Sequence, residues 1–254
     1  MPKIELMSLR WKVVSLIVAL AIWEAVGRLT NPLFLSTPLL TFYALSDMVV
    51  NGLIQPRIVT TLRTFLLGLA ISVAAGIPIG IVVGYFKRVR LSTEHFITAL
   101  YSTPYVAWTG LIILWFGIGE EARTVMVVMA SIWPMVINTM YGVEYIDDSF
   151  LEVGKAFGCN SRQMLQKIIL PGSVPFIASG FRLAVGRAIV GALVAEMFLQ
   201  LVGLGGMIVR YSDLLKADYV LALIIVVMVL GLALTELGKW AERKAGAWKI
   251  QIPT

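Results

Sequence analysis

The sequence predicts an all-α membrane protein, a single transmembrane domain over residues 1–254 with six membrane-spanning helices. Composition is the first observation behind this fold class. Hydrophobic residues make up 59% of the chain and charged residues 14%, whereas soluble domains contain about 25% charged residues. Patterning is the second observation, because the apolar residues form long runs and a helical span needs about 20 of them. Lipid must therefore replace water around much of the surface.

Six apolar runs are long enough to span a bilayer, at residues 12–29, 61–86, 96–118, 122–143, 174–202 and 218–239. The first is longer than the core of a usual signal peptide and lacks a small-residue cleavage site, which favours a retained anchor. The stretch LLTFYALSDMVVNG between the first two runs predicts a short helix at the outer surface. Pro78, Pro104 and Pro134 lie inside spans, where they predict kinks.

The distribution of basic residues predicts the orientation. Six spans place both termini on one side, and thirteen lysines and arginines fall in the segments of that side, against six on the other. The positive-inside rule makes that side the cytoplasm, so the loop 144–173 is cytoplasmic too. The basic residues flank apolar runs and do not cluster with exposed aromatic residues. The net charge of +6 therefore indicates topology and not nucleic-acid binding.

The chain shows no pattern typical of an enzyme or a metal site. It lacks the G-x-x-x-x-G-K-[ST] phosphate loop. One cysteine, Cys159, excludes an intrachain disulfide, and one histidine, His95, with that cysteine argues against a metal cluster. We interpret GLGG at 203–206 as a flexible end of the fifth span. We therefore expect no catalytic residue, no metal and no cofactor in this chain.

Three ionisable residues inside the fifth span, Arg182, Arg187 and Glu196, are candidates for a translocation path or gate, because charges within a membrane are costly. Arg182 and Glu196 are separated by about 21 Å along an ideal helix and cannot pair with each other. Structural ion pairing remains the alternative for each of the three residues.

Small residues recur every four positions along the second predicted span and include Gly76, Gly80 and Gly84. This spacing places them on one helix face, where they allow a second helix to approach closely. We predict a packing ridge, which is either a static contact or a sliding surface.

The cytoplasmic stretch 151–172 reads LEVGKAFGCNSRQMLQKIILPG. It predicts two short helices with a break at Gly158, where glycine permits a sharp turn. Asn160 or Ser161 can cap the second helix, and Gln163 follows Asn160 at capping-box spacing. Pro171 is expected to end the second helix before the fifth span begins.

This stretch resembles the cytoplasmic signature E-A-A-x-x-x-G, nine residues, then I-x-L-P, of permease subunits in binding-protein-dependent ABC importers. Glu152, Gly158, Ile168, Leu170 and Pro171 fall in register with the signature. Val153 and Gly154 stand where the family usually has two alanines. TLRTFLLGLAISVAAGIPIGIVVGYFKRVR, ILWFGIGEEAR and GRAIVGALVAEMF resemble regions of the nitrate, sulfonate and taurine branch, so that the likeness covers roughly residues 30–245.

The resemblance implies a type I ABC importer permease fold in the bacterial cytoplasmic (inner) membrane, with coupling helices between spans 4 and 5. The implied partners are a second copy of the chain, an ATP-binding subunit dimer that holds ATP and Mg²⁺, an extracytoplasmic solute-binding protein and membrane lipid. The branch implies a small anion such as a sulfonate, taurine or nitrate as substrate. The coupling segment, at about 147–171, has eight implied contact residues: Glu152, Gly154, Ala156, Gly158, Ser161, Ile168, Leu170 and Pro171.

Two other classes of protein fit the spans without using the cytoplasmic signature. A secondary transporter or channel driven by an ion gradient would show inverted repeats and a midplane carboxylate, and the sequence shows no repeat. A membrane scaffold would need the spans but no gate.

Overall fold

In the computed structural model every regular element is a helix within residues 2–246, the part of the chain that the structure describes; side chains are described for residues 11–245. The α-helices are α1 (Pro2–Leu29), α2 (Pro38–Val50), α3 (Gln55–Tyr85), α4 (Lys87–Ser102), α5 (Thr109–Phe116), α6 (Glu120–Glu144), α7 (Asp148–Ala156), α8 (Ser161–Met164), α9 (Leu170–Phe198), α10 (Gly203–Asp213) and α11 (Ala217–Gly246). A 3₁₀ turn covers Tyr105–Trp108 and a π turn covers Leu165–Ile169. Among the basic residues behind the predicted orientation, Lys249 and the side chains of Lys3 and Arg10 lie outside the described part.

Within the described residues, four helices are long and apolar enough to cross a membrane: α3, α6, the helix Ser161–Phe198 and α11. A bent pair of helices between α3 and α6 raises the number to as many as five. The first predicted span lies inside α1, where Lys12, Glu24 and Arg28 interrupt the apolar run. A total of six spans therefore stays a prediction.

The segment predicted as one span over 96–118 is not one continuous helix. The chain bends by 91° between α4 and the following 3₁₀ turn with α5. Thr103 caps α4 in an extended conformation, and Pro104 follows it. Proline disfavours the helical conformation for the residue before it and cannot donate a backbone hydrogen bond, so the helix stops here. Pro104 therefore breaks this segment completely, where only a kink had been expected.

Helix α6 forms the centre of the bundle and packs against α3 and α9. The predicted small-residue ridge is part of this core, because Gly76, Gly80 and Gly84 are buried against α6. A Cβ atom at Gly80 would lie 2.5 Å from the Cβ atom of Thr139. Buried Ser72 and Ser131 also hydrogen-bond between α3 and α6, with 2.8 Å between their Oγ atoms. The ridge thus provides close contact within one chain.

The chain does not leave the helix at Pro171, which corrects the expected boundary. The helix runs without interruption from Ser161 to Phe198, over 38 residues. Proline within a helix has no N–H to donate and its ring crowds the carbonyl four residues earlier. The wider π turn at Leu165–Ile169 directly before Pro171 accommodates both effects. The coupling segment is therefore continuous with the fifth predicted span.

Candidate coupling segment and translocation cavity

The coupling segment folds as two short helices held by their caps. Asp147 caps α7, with a distance of 2.9 Å from the Ser149 N–H nitrogen to a carboxylate oxygen. Hydrogen bonds from Ser149 lower the pKa of Asp147 below its ordinary value. Asn160, not Ser161, caps α8, and Asn160 and Gln163 exchange two 2.9 Å hydrogen bonds in the predicted capping box.

Two glycines set the shape of this segment. Gly158 has a φ angle of +70°, in the left-handed region that favours glycine, and it turns the chain between α7 and α8. Gly154 is buried, and a Cβ atom there would lie 2.6 Å from Ile168 and 2.8 Å from Met164. Because Gly154 has no side chain, α7 can lie directly on the helix that follows the turn.

The outward surface of the segment is apolar, and this was missed from the sequence. Phe150, Val153 and Phe157 have relative exposures of 61%, 53% and 85%. Their i, i+3, i+7 spacing was the signal that could have identified them, because it places all three on one helix face. Glu152 and Ala156 are also exposed. The segment therefore presents an apolar face with an acidic residue beside it, while Leu170 and Pro171 begin α9 behind it.

A cavity of about 420 Å³ lies at the break between α4 and α5. Its lining consists of Tyr101, Ser102, Thr103, Pro104, Tyr105, Val106, Met129, Ala130, Trp133 and Arg187. The Arg187 guanidinium carbon lies 5.7 Å from the centre of the Tyr101 ring, in a cation–π contact. Arg187 is exposed, and across residues 11–245 no carboxylate lies within ion-pair distance of it.

The other two path candidates lie away from this cavity. Arg182 forms an ion pair with Glu242 of α11, 2.7 Å from nitrogen to oxygen, and Ser179 hydrogen-bonds to the same carboxylate. Glu196 is completely buried and accepts a 2.9 Å hydrogen bond from the Thr61 hydroxyl. The structure thus places the three candidates at three separate sites, and a role in the path remains a prediction for each.

The interpretation of GLGG at 203–206 as a flexible helix end is wrong. Residues 203–207 are buried and form the start of α10. A Cβ atom at Gly203 would collide with the carboxylate of Glu196, and one at Gly206 with the backbone of Leu201. Close packing therefore requires these glycines, and the four residues GLGG do not reveal that packing from the sequence alone.

Comparison with known proteins decides the class of this chain. Residues 76–246 match the family described as the binding-protein-dependent transport system inner membrane component. The chain belongs to this family. It is the transmembrane permease subunit of an ATP-driven importer, and this excludes the ion-gradient transporter and the scaffold as its class.

Two curated relatives belong to the predicted branch. The chain is 30% identical over 234 residues to a protein of Bacillus subtilis (strain 168) named as the aliphatic sulfonates transport permease SsuC, over 91% of this chain and 85% of that protein. It is 28% identical over 246 residues to the taurine transport system permease protein TauC of Escherichia coli (strain K12), over 94% and 89% of the two chains.

A solved structure supports the fold. A chain of the inward-facing MetNI methionine ABC transporter superposes with a TM-score of 0.68 at 14% sequence identity, over 77% of this chain and 97% of that chain. The predicted type I importer permease fold is therefore confirmed. Among the described residues no group of three or more His, Cys, Asp or Glu side chains is placed to hold a metal ion.

Proposed function

We propose that two copies of this chain form a translocation path for a small sulfonate- or taurine-like anion, which an extracytoplasmic binding protein delivers. Both termini face the cytoplasm, where an ATP-binding subunit dimer holds ATP and Mg²⁺, hydrolyses the ATP and docks on the coupling segment. The exposed Arg187 at the helix break is the observation that carries this proposal. The names of the SsuC and TauC relatives support the substrate class.

Arg187 requires a cover that one copy of the chain does not supply. It lies inside a membrane-crossing helix and is exposed in the single chain. An arginine facing lipid costs about 2.5–3.5 kcal/mol on insertion scales. Leu183 and Val190, four residues before and three after Arg187, are also exposed, at 42% and 48%. A second copy packed on this face would remove the charge from lipid and enclose the cavity.

The cavity chemistry supports an anionic substrate. Arg187 is the one charged residue in the described lining, and no carboxylate lies there to compete with a bound anion. A guanidinium group donates hydrogen bonds in a planar fork that suits carboxylate, phosphate and similar oxyanions. Hydroxyl groups of Tyr101 and Ser102 add further donors. Broken helices at the substrate site are a common device in transporters, because the free backbone groups face the cavity.

The coupling segment supports docking of a separate ATPase. An amphipathic helix binds a groove through apolar anchors at i, i+3 and i+7, which is the spacing of exposed Phe150, Val153 and Phe157. The rigid connection from Ser161 to Phe198 gives a direct mechanical route from this docking surface to Arg187.

Uptake of taurine into proteoliposomes tests the proposal, with the ATPase subunits and the binding protein present. Arg187→Gln should reduce uptake at least about tenfold, the loss expected for one charge-assisted hydrogen bond, while ATP hydrolysis without binding protein persists. Arg187→Lys should retain part of the uptake because it keeps the charge.

Arg182→Gln is the matched control, since it removes an arginine from the same helix outside the cavity. Equal uptake by Arg187→Gln and the parent would overturn the assignment of the cavity. Competition by choline but not by ethanesulfonate or nitrate would overturn the substrate class.

A further inference from the structure

A buried joint connects three helices at the end of α9 opposite the coupling segment. The Thr61 hydroxyl of α3 donates to Glu196 Oε2 of α9 at 2.9 Å and accepts from the Leu204 N–H of α10 at 3.0 Å. The Gly205 N–H donates to the same Glu196 oxygen at 3.0 Å. Thr61 and Glu196 are both 0% exposed. One hydroxyl and one carboxylate therefore satisfy two of the free N–H groups at the start of α10.

The joint is built to fit closely. Gly203 has a φ angle of +60°, and a Cβ atom there would collide with the Glu196 carboxylate. A Cβ atom at Gly205 would lie 2.9 Å from Glu196 Cβ. These two glycines let the backbone of α10 approach the carboxylate closely enough to hydrogen-bond with it. The position of α10 relative to α9 is thus fixed by a polar contact with no room for adjustment.

Helix α10 carries one wall of a second cavity, of about 320 Å³. Its lining includes Arg57, which lies four residues before Thr61 in α3. The lining also includes residues of α10 and the residue that follows it: Met207, Arg210, Asp213 and Leu214. Arg57 and Arg210 are two of the six basic residues that the positive-inside rule assigns to the extracytoplasmic side. The cavity therefore lies on the face that the proposed function gives to the binding protein.

At its other end α9 leads into the coupling segment. From Leu170 to Glu196 the helix rises by about 39 Å, and it continues without a break to Ser161. A displacement of α10 reaches this helix through the joint and through the close glycine contacts around it.

We propose that Thr61 and Glu196 are positioning residues that lock α10 to α9, so that binding-protein contact at the outer face changes ATP hydrolysis at the coupling segment. This inference rests on the proposed function. It assigns Glu196 to transmission and not to the wall of the path.

A pair of substitutions at Thr61 tests the joint. Thr61→Val has nearly the same shape but removes the hydroxyl, whereas Thr61→Ser keeps the hydroxyl. Each complex, assembled with its ATPase subunits in lipid nanodiscs, is measured for ATP hydrolysis with and without the binding protein. Hydrogen–deuterium exchange of the peptide 199–213 measures directly how well the backbone N–H groups at the start of α10 are protected.

Thr61→Val should exchange roughly tenfold faster over 203–207, because buried groups lose their hydrogen-bond partners. It should also lose most of the stimulation by binding protein while keeping its basal hydrolysis. Thr61→Ser should match the parent in both measurements, and so should Glu196→Gln, whose amide oxygen can accept the same two hydrogen bonds.

If the binding protein stimulates ATP hydrolysis by the parent and by Thr61→Val equally, the joint is overturned and the proposed function stands. Unchanged exchange over 203–207 would also overturn the joint. Loss of assembly by Thr61→Val but not by Thr61→Ser would overturn it too, since a contact that only positions α10 is not needed for assembly. A parent complex without any stimulation would overturn the proposed function, and the inference with it.

Discussion

Replacing Gly158 by valine isolates the turn of the coupling segment, because its effect is conformational and not steric. Gly158 has a φ angle of +70°, and none of the described atoms lies within 4 Å of a Cβ atom built there. The Cβ atom of the new side chain therefore meets no collision. It forces a β-branched residue into the left-handed region, which such residues resist.

The size of the effect follows from this conformation. An L-residue in the left-handed region costs roughly 1–2 kcal/mol, and a β-branched residue lies at the upper end or beyond. A cost of about 2 kcal/mol lowers the equilibrium constant that favours the native turn roughly 30-fold. The spans do not depend on this turn, so the membrane level of the protein should stay normal. Transport and stimulation of ATP hydrolysis by the binding protein should both fall.

Three measurements on the assembled complex check this expectation: membrane level, pull-down of the ATPase subunit, and stimulated ATP hydrolysis. Gly158→Asn is the matched control, since asparagine tolerates the left-handed region, and it should behave like the parent. Full transport by Gly158→Val with normal ATPase binding would refute the role of this turn in coupling.

Two further predictions concern the bundle core and the docking surface. Gly80→Leu should destabilise the purified protein by the 1–3 kcal/mol typical of overpacking, because even a Cβ atom there would lie 2.7 Å from the carbonyl oxygen of Val136. Ile79→Leu, at an exposed position of the same helix, is the control. Equal melting temperatures of Gly80→Leu and the parent would contradict the packing. Glu152→Lys should weaken ATPase pull-down and leave membrane insertion unchanged, because Glu152 is exposed beside the apolar docking face. Glu152→Gln separates loss of the charge from its reversal. Binding of the ATPase at the parent level by both variants would remove Glu152 from the interface.

Local signals in the sequence were sufficient for much of the fold. The short helix between the first two predicted spans is α2, where Thr37 is the cap and Pro38 is the first residue. The left-handed turn at Gly158 and the capping box at Asn160 depend on neighbours within a few residues, and both were predicted correctly. The positions of α3, α6 and α11 followed from apolar length alone.

Proline was the residue whose effect the sequence left open. Pro104 follows the end of a helix, whereas Pro171 lies inside one. The difference lies in the compensation available. The π turn before Pro171 removes the clash, and buried Ser173 ties the same segment to α6 by donating to the Gly142 carbonyl at 2.9 Å. Thr103 takes an extended conformation, and its N–H and hydroxyl both donate to the Ala99 carbonyl at the end of α4.

The candidate site shows the same division between local and long-range information. The sequence by itself determined that Arg182, Arg187 and Glu196 stand in one costly membrane helix, because residue type and hydropathy are local properties. Only the tertiary structure decided their partners: Glu242 from α11, the cavity at the α4 break, and Thr61 from α3. Thr61 and Glu196 are 135 residues apart, and no spacing rule connects them. Their contact exists because α3 and α9 are brought together by close packing in the bundle, and the free energy of burying a charge is set by whatever that packing places beside it.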